Sequence, residues 1–172
     1  FYNGVGHVTV QYETVLAIGL NGVKEKVRKE MENCHFGDAD YSTKMCFLES
    51  ILISCDAVIT YANRYAKMAE EMAEKETDAV CKNVPEFPAE SFQEACQSFW
   101  FIQQVLQIES SGHSISPGRF DQYMYPYYEK DLKEGSLTRE YAQELIDCIW
   151  VKLNDLNKCR DAASAEGFAG YS

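Results

Sequence analysis

Hydrophobic positions recur every three or four residues along most of the chain, which predicts a mainly helical protein. The clearest stripe starts at Leu48 and ends at Met72, and it predicts one long helix over about residues 43–77. Other stripes predict helices over 8–33, from about Ser91 through Leu106, over 121–133 and over about 138–156. The polar residues between the first two helices predict a loop over 33–41, and the small residues of 162–172 could start a strand.

Capping residues mark several helix ends in the second half of the chain. Ser91 with Glu94 three residues later fits a capping box, although Pro88 would also allow an earlier start. Gly135 predicts the end of one helix and Thr138 the start of the next. Apolar residues nearly surround the helix that starts near Ser91, which predicts that it is deeply buried.

Composition narrows the class of protein. The 172 residues are enough for one domain, and the 46% hydrophobic residues are enough for a packed core. A net charge of −11 argues against nucleic-acid binding, which usually needs a basic face. We expect no membrane span, because no apolar run approaches roughly 20 residues, and no signal peptide is visible. The start at Phe1, without Met, is interpreted as an internal cut.

The cysteines favour a reducing compartment. Their number is seven, which is odd, and no two are spaced as Cys-x-x-Cys, so zinc and iron–sulfur spacings are absent from the sequence. Several stand among apolar residues, such as Cys55 and Cys148. We therefore expect reduced, buried thiols in a cytosolic protein, one typical of anaerobic metabolism.

Side chains that can transfer protons or bind ligands are most concentrated in residues 109–126. Glu109 and His113 are possible proton carriers, and glycines and prolines around them predict a loop between two helices. Functional groups are often held on such loops. The alternative is a polar turn in which Arg119 and Asp121 pair for structural reasons.

The sequence of this loop resembles the corresponding motif of the glycyl radical enzymes in the pyruvate formate-lyase-like family, in their dehydratase and lyase branch. Gly112-His113-Ser114 and Ser116-Pro-Gly-Arg-Phe-Asp-Gln-Tyr123 carry the resemblance. Segments around Gly6-His7, Cys55-Asp56-Ala57 and Val84-Pro85 extend it, so that it covers nearly the whole chain.

The resemblance implies a larger enzyme. Residues 1–172 would be the N-terminal to middle portion of a pyruvate formate-lyase-like domain, part of the helical shell of a ten-stranded α/β barrel. Family members usually carry about ten more residues after Asp78, which predicts a missing or deleted stretch near 79–80. The implied cofactor is a protein-based glycyl radical outside this segment, with no metal or B12 in this chain. The implied partners are a small-molecule substrate, a radical SAM iron–sulfur activating enzyme and a second copy in a homodimer, in the cytoplasm, with neither nucleic acid nor membrane.

The resemblance also implies what the segment does. No catalytic residue is matched in it, since the radical glycine and the thiyl cysteine fall elsewhere. His7, His113 and Ser114 match the residues that hold substrate hydroxyls in the diol dehydratases, and Arg119 and Asp121 are expected to be buried, paired, structural residues near the site. Glu109 is expected to pair with Arg119, and His35 to be a surface residue.

The implied reaction is loss of water from a small diol or polyol by radical C–H abstraction, for which an imidazole can donate a proton near neutral pH. The alternatives are a C–N or C–S lyase of the same family, such as a choline or sulfonate lyase, and a helical scaffold without catalysis. A scaffold has no need of His7, His113 and Ser114 together, so the convergence of these three residues is the prediction that separates the readings.

Overall fold

The computed structural model describes residues 7–73, 75–109 and 114–156, without the side chains of 75 and 76. The described part is mainly helical, as predicted. In chain order its elements are β1 (Val8–Thr9), α1 (Tyr12–Glu32), α2 (Tyr41–Glu71), α3 (Lys75–Asn83), α4 (Phe92–Glu109), β2 (Ile115–Ser116), α5 (Phe120–Glu134) and α6 (Arg139–Asp155). They divide into two compact units, one of Phe1–Tyr12 with Ser91–Ser172 and one of Glu13–Glu90.

In the Glu13–Glu90 unit, α1 is interrupted at Gly19, whose φ of 63° and ψ of 174° are not helical. A Cβ at this position would lie 2.5 Å from the carbonyl oxygen of Glu86, so only glycine lets the two backbones approach. The segment after α3 packs against α1 at this interruption. The Leu20 amide donates to the Pro85 carbonyl at 2.8 Å, and the Ala89 amide donates to the Leu16 carbonyl at 2.9 Å. The predicted helix over 8–33 is therefore two helical pieces preceded by a short strand.

The single long helix predicted over 43–77 is wrong at its C-terminal end. α2 ends at Glu71, Ala73 takes a left-handed φ of 62°, and a separate helix α3 packs against α2. The side chains of Ala66, Ala69 and Cys81 are buried there. The helical pattern continues through this stretch, and tertiary packing decides where it breaks. α3 runs through Ala79 and Val80 without interruption, and a missing stretch relative to longer relatives stays a prediction.

α2 is more apolar than the sequence analysis expected. Within the described residues it is the one helix long enough and apolar enough to cross a membrane, judged by length and composition alone. The expectation that no segment reaches this limit is therefore wrong, although a helix that packs against protein meets the same criterion. Only four of its residues are buried, and Phe47, Ile53 and Met68 are largely exposed.

The other unit is built around α4, which is buried along its length as predicted. The Ser91 hydroxyl accepts from the Glu94 amide at 3.1 Å, which confirms that residue as the helix cap. Thr138 caps α6 in the same way, and Gly135 ends α5 with a φ of 75°. The first amide of α4, that of Phe92, donates to the buried carboxylate of Asp131 at 2.7 Å. These caps fix where α4 and α6 begin and where α5 ends.

β1 and β2 form a two-stranded parallel sheet in this unit. Each strand has two residues, which is too short for an alternating pattern to be visible in a sequence. The ladder joins the segment before α1 to the loop after α4, about a hundred residues further along the chain. It is the element that positions the candidate site.

Candidate substrate site

The register of the small sheet brings two of the predicted substrate residues together. Val8 pairs with Ile115 and Thr9 with Ser116. His7 and Ser114 each stand one residue before this ladder, at the same end of the two parallel strands. The His7 side chain is exposed and that of Ser114 half-buried. His113 lies outside the described residues.

Both residues also have an unusual backbone. His7 has a φ of 55° and Ser114 a φ of 54°, in the left-handed region that residues other than glycine rarely occupy. Such a conformation costs of order 1–3 kcal/mol and persists only where the surroundings impose it, often at functional sites. Two of the three positions that the resemblance selects for binding are thus among only three described non-glycine residues with positive φ; the other of these, Ala73, follows the end of a helix.

Gly118 lets the loop after β2 lie close to β1. Its φ is 71°, and a Cβ there would come within 2.4 Å of Thr9 Cγ2. Any side chain would push the two strands apart or distort the turn. The glycine in the Ser-Pro-Gly-Arg motif is therefore required by the geometry that joins the His7 and Ser114 segments.

Side chains of two helices donate to backbone carbonyls of this loop, and a side chain of a third helix supports one of them. The amide of Gln103, on α4, donates from Nε2 to the carbonyl of Ile115 at 2.9 Å, and the Tyr12 hydroxyl donates to Oε1 of the same amide. The Tyr123 hydroxyl, on α5, donates to the carbonyl of Pro117 at 2.8 Å. Tyr12 and Gln103 are each 1% exposed, which makes them among the most buried residues of the structure.

The two tyrosines are linked through their rings. The centroids of Tyr12 and Tyr123 are 5.7 Å apart in a stacked arrangement, and Phe99 lies 4.9 Å from Tyr12. Burial raises the pKa of both phenols well above the ordinary value, and the neighbouring hydroxyl of Tyr12 adds to the effect on Tyr123. Both therefore stay protonated and remain hydrogen-bond donors at neutral pH.

A cavity of about 320 Å³ lies against β2 on the side of Ile115. Its described lining residues are Gln103, Gln107, Ile115, Pro117, Trp150, Leu153, Asn154 and Leu156. The volume is at the lower end of small-molecule pockets. Neither His7 nor Ser114 is among these described lining residues, so these two predicted binding residues do not line this cavity.

Three charged residues are not buried or ion-paired as predicted within the described part of the chain. Arg119 and Asp121 are exposed, rather than buried and paired. No ion pair involves either residue within the described part of the chain, and the recorded side-chain partner of Asp121 is Gln122 at 3.4 Å. Glu109 is also exposed and does not pair with Arg119. The turn is held by Gln103 and Tyr123 through backbone carbonyls, so its charged side chains are free to face outward.

Other predicted features have clear outcomes. His35 is exposed in its loop, as expected. Six cysteines are described and none is in a disulfide, while Cys159 falls outside the described residues. Cys55, Cys81 and Cys96 are buried, but Cys46 and Cys148 are exposed, so the expectation of buried thiols holds for some of them. Burial raises the pKa of the Cys96 thiol to about 12, which makes it a poor nucleophile.

The sequence analysis missed Tyr12, Gln103 and Asp131. One signal was available for Gln103, because it is a polar residue within the otherwise apolar run of α4. A polar group at such a position must find a hydrogen-bond partner. The partners of Tyr12 and Asp131 lie 91 and 39 residues away in the chain, so no local pattern indicates them.

Comparison with known proteins supplies the family. The model of the family described as "Pyruvate formate lyase-like" matches residues 1–172. This chain belongs to that family. The resemblance read from the loop motifs is thereby confirmed, and the pyruvate formate lyase-like chain can be set beside individual relatives.

A solved structure from work on 1,2-propanediol dehydration in Roseburia inulinivorans, and on its basis for substrate and enantiomer selectivity, is 92% identical. It covers all of this chain and 22% of its own, with a TM-score of 0.94. The glycerol-bound B12-independent glycerol dehydratase from Clostridium butyricum is 51% identical over all of this chain and 23% of its own, with a TM-score of 0.91. An isethionate sulfite-lyase from Nitratidesulfovibrio vulgaris is 43% identical over 153 residues, 81% of this chain and 18% of its own. The pyruvate formate lyase-like chain thus spans about a fifth of the length of these relatives.

Proposed function

We propose that this chain is the part of a glycyl radical dehydratase that holds the hydroxyl groups of a small diol. The observation that carries the proposal is the parallel register that sets His7 beside Ser114, each with a left-handed backbone. The likeness to the proteins from Roseburia inulinivorans and Clostridium butyricum supports a substrate such as propane-1,2-diol or glycerol. The convergence of His7, His113 and Ser114, which separates the enzyme from a scaffold, stays a prediction, because His113 lies outside the described residues.

The proposed division of labour follows from the side chains. The radical chemistry would come from residues elsewhere in the full-length protein. The His7 imidazole would donate a proton to the hydroxyl that leaves as water, since imidazole exchanges protons near neutral pH. The Ser114 hydroxyl can both donate and accept, so it would orient the second hydroxyl of the diol. His113 would complete the set.

The larger assembly is part of the same proposal. We infer that the segment belongs to the helical shell of a ten-stranded α/β barrel and that the whole enzyme is a cytoplasmic homodimer. A radical SAM activating enzyme would generate the glycyl radical. The exposed apolar residues of α2, among them Phe47 and Ile53, would then be covered by other parts of the protein, because an exposed apolar patch usually marks a contact surface.

One experiment tests the proposal. The full-length protein is activated without oxygen, radical formation is followed by electron paramagnetic resonance, and products are measured with propane-1,2-diol, glycerol, isethionate, choline and hydroxyproline. We expect consumption of a diol with release of water and an aldehyde. Release of sulfite from isethionate would instead support a C–S lyase, the alternative favoured by the 43% identity to a sulfite-lyase.

Matched histidine variants test the site itself. His7→Asn keeps a residue that tolerates the left-handed backbone but cannot donate a proton as imidazolium, so kcat should fall by about 100-fold or more. His35→Asn changes an exposed loop histidine and should leave kcat unchanged. Equal activity of the two variants would contradict the role of His7.

A further inference from the structure

Two buried, hydrogen-bonded side chains, those of Gln103 and Tyr12, form a relay of hydrogen bonds that supports the loop carrying Ser114. Gln103 donates to the carbonyl of Ile115, the residue after Ser114, at 2.9 Å, and it accepts from the Tyr12 hydroxyl. Tyr12 begins α1, five residues after His7, and its backbone amide closes the turn after β1 by donating to the Val10 carbonyl at 3.0 Å. One amide side chain therefore connects the two segments on which the candidate substrate residues stand.

We propose that Gln103 and Tyr12 are positioning residues that set the distance and orientation of Ser114 relative to His7. The inference rests on the proposed function, because it concerns the residues that would bind the diol. A primary amide suits the task, since it offers a donor to one segment and an acceptor to the other at the same time. Neither side chain needs to touch the substrate.

Burial protects the hydrogen bonds of this relay from exchange with water. Both residues are 1% exposed, so water does not compete for their hydrogen bonds. The ladder between β1 and β2 has only two paired positions, which is too short to fix the register firmly by itself. A relay placed next to the pairing of Val8 with Ile115 supplies the missing constraint. Loss of the relay should let the strands shift while the helices stay folded.

The test uses two single variants and their combination in the full-length protein. Gln103→Met keeps an unbranched side chain of similar size without polar atoms, and Tyr12→Phe removes only the hydroxyl. Each leaves a buried partner without its hydrogen bond and should lower the unfolding midpoint. The double variant removes both polar side chains, so part of the lost stability should return.

We expect the KM for the diol to change independently of the unfolding midpoint. Gln103→Met should raise the KM for the diol about tenfold, because small displacements of a binding group are costly. The double variant should keep that raised KM although its unfolding midpoint recovers. Asp131→Asn serves as the control, because it weakens the other end of α4 without touching the loop, and its KM should stay unchanged.

Two outcomes would overturn the inference. One is a KM that recovers together with stability in the double variant, and the other is an unchanged KM in Gln103→Met while the radical signal is intact. Amide hydrogen exchange of the peptide over 114–118 gives a readout without substrate: it should be faster in Gln103→Met than in Asp131→Asn. Absence of diol turnover in the unchanged protein would refute the proposed function, and the exchange rates would still decide whether Gln103 holds the loop.

Discussion

Replacing Ser114 by alanine and by glycine separates the hydroxyl group from the backbone conformation. Both variants remove the hydroxyl, but Ser114→Ala keeps a Cβ in the left-handed region, where φ is 54°. Such a conformation costs about 1–2 kcal/mol for a residue with a side chain. Glycine avoids that cost but loses about 0.5–1 kcal/mol through the greater freedom of the unfolded chain. We therefore expect Ser114→Gly to be more stable than Ser114→Ala by about 0.5–1 kcal/mol.

Ser54 provides the matched control. It is exposed within α2, where the backbone is helical, so the same pair of substitutions should give the opposite order. Glycine in a helix is less stable than alanine by about 0.8–1 kcal/mol. Urea unfolding of the four variants in the full-length protein, compared pairwise, measures both differences.

The catalytic consequence should be the same for both Ser114 variants. Under the proposed function each loses one hydrogen bond to the substrate, which should lower kcat/KM about two- to tenfold. The reasoning is refuted if glycine is less stable than alanine at Ser114 as it is at Ser54, since no left-handed cost would then exist to be relieved. Unchanged kcat/KM in both variants would refute the contact with substrate.

Substitutions at Gly118, Asp131 and Cys96 test the structure around the candidate site. Gly118→Ala should destabilise the protein by about 2 kcal/mol or more, because of its φ and the close contact with Thr9, and an added Thr9→Ser should restore only the part due to contact. Asp131→Ala should cost about 1–3 kcal/mol by leaving the Phe92 amide unpaired, and Asp131→Asn less, both measured by urea unfolding. The pKa of Cys96 is raised from 9.0 to about 12, so stability should fall as pH rises through that range, and Cys96→Ala should flatten the slope of unfolding free energy against pH.

Local signals predicted the second half of the chain well. Caps at Ser91, Thr138 and Gly135 act within four residues, and the structure has the helix ends where these residues stand. Features that depend on distant contacts were not predictable. The break after Glu71 and the interruption at Gly19 arise where other segments pack against helical sequence.

The candidate site shows the same limit. His7 and Ser114 were selected by resemblance to a family, since nothing in their immediate sequence indicates that they are neighbours. A strand of two residues leaves no period to detect, and hydrogen bonds such as that of Tyr12 to Gln103 join positions 91 residues apart. The pairing and burial predicted for Arg119 and Asp121 are not found, since both residues are exposed.

The ladder between β1 and β2 has a consequence for how the protein is made. Closing a loop of about a hundred residues costs about 4 kcal/mol of chain entropy, more than two paired positions can offset. Translation adds about 5–20 residues per second, so the ribosome completes Ser114 about 5–20 s after His7. During that interval β1 has no β2 to pair with. The ring of Tyr12 also lacks the aromatic residues of α4 and α5 that pack against it in the folded protein. The candidate site therefore cannot form until the ribosome has passed Ser114, well after α1 to α3 have been synthesised.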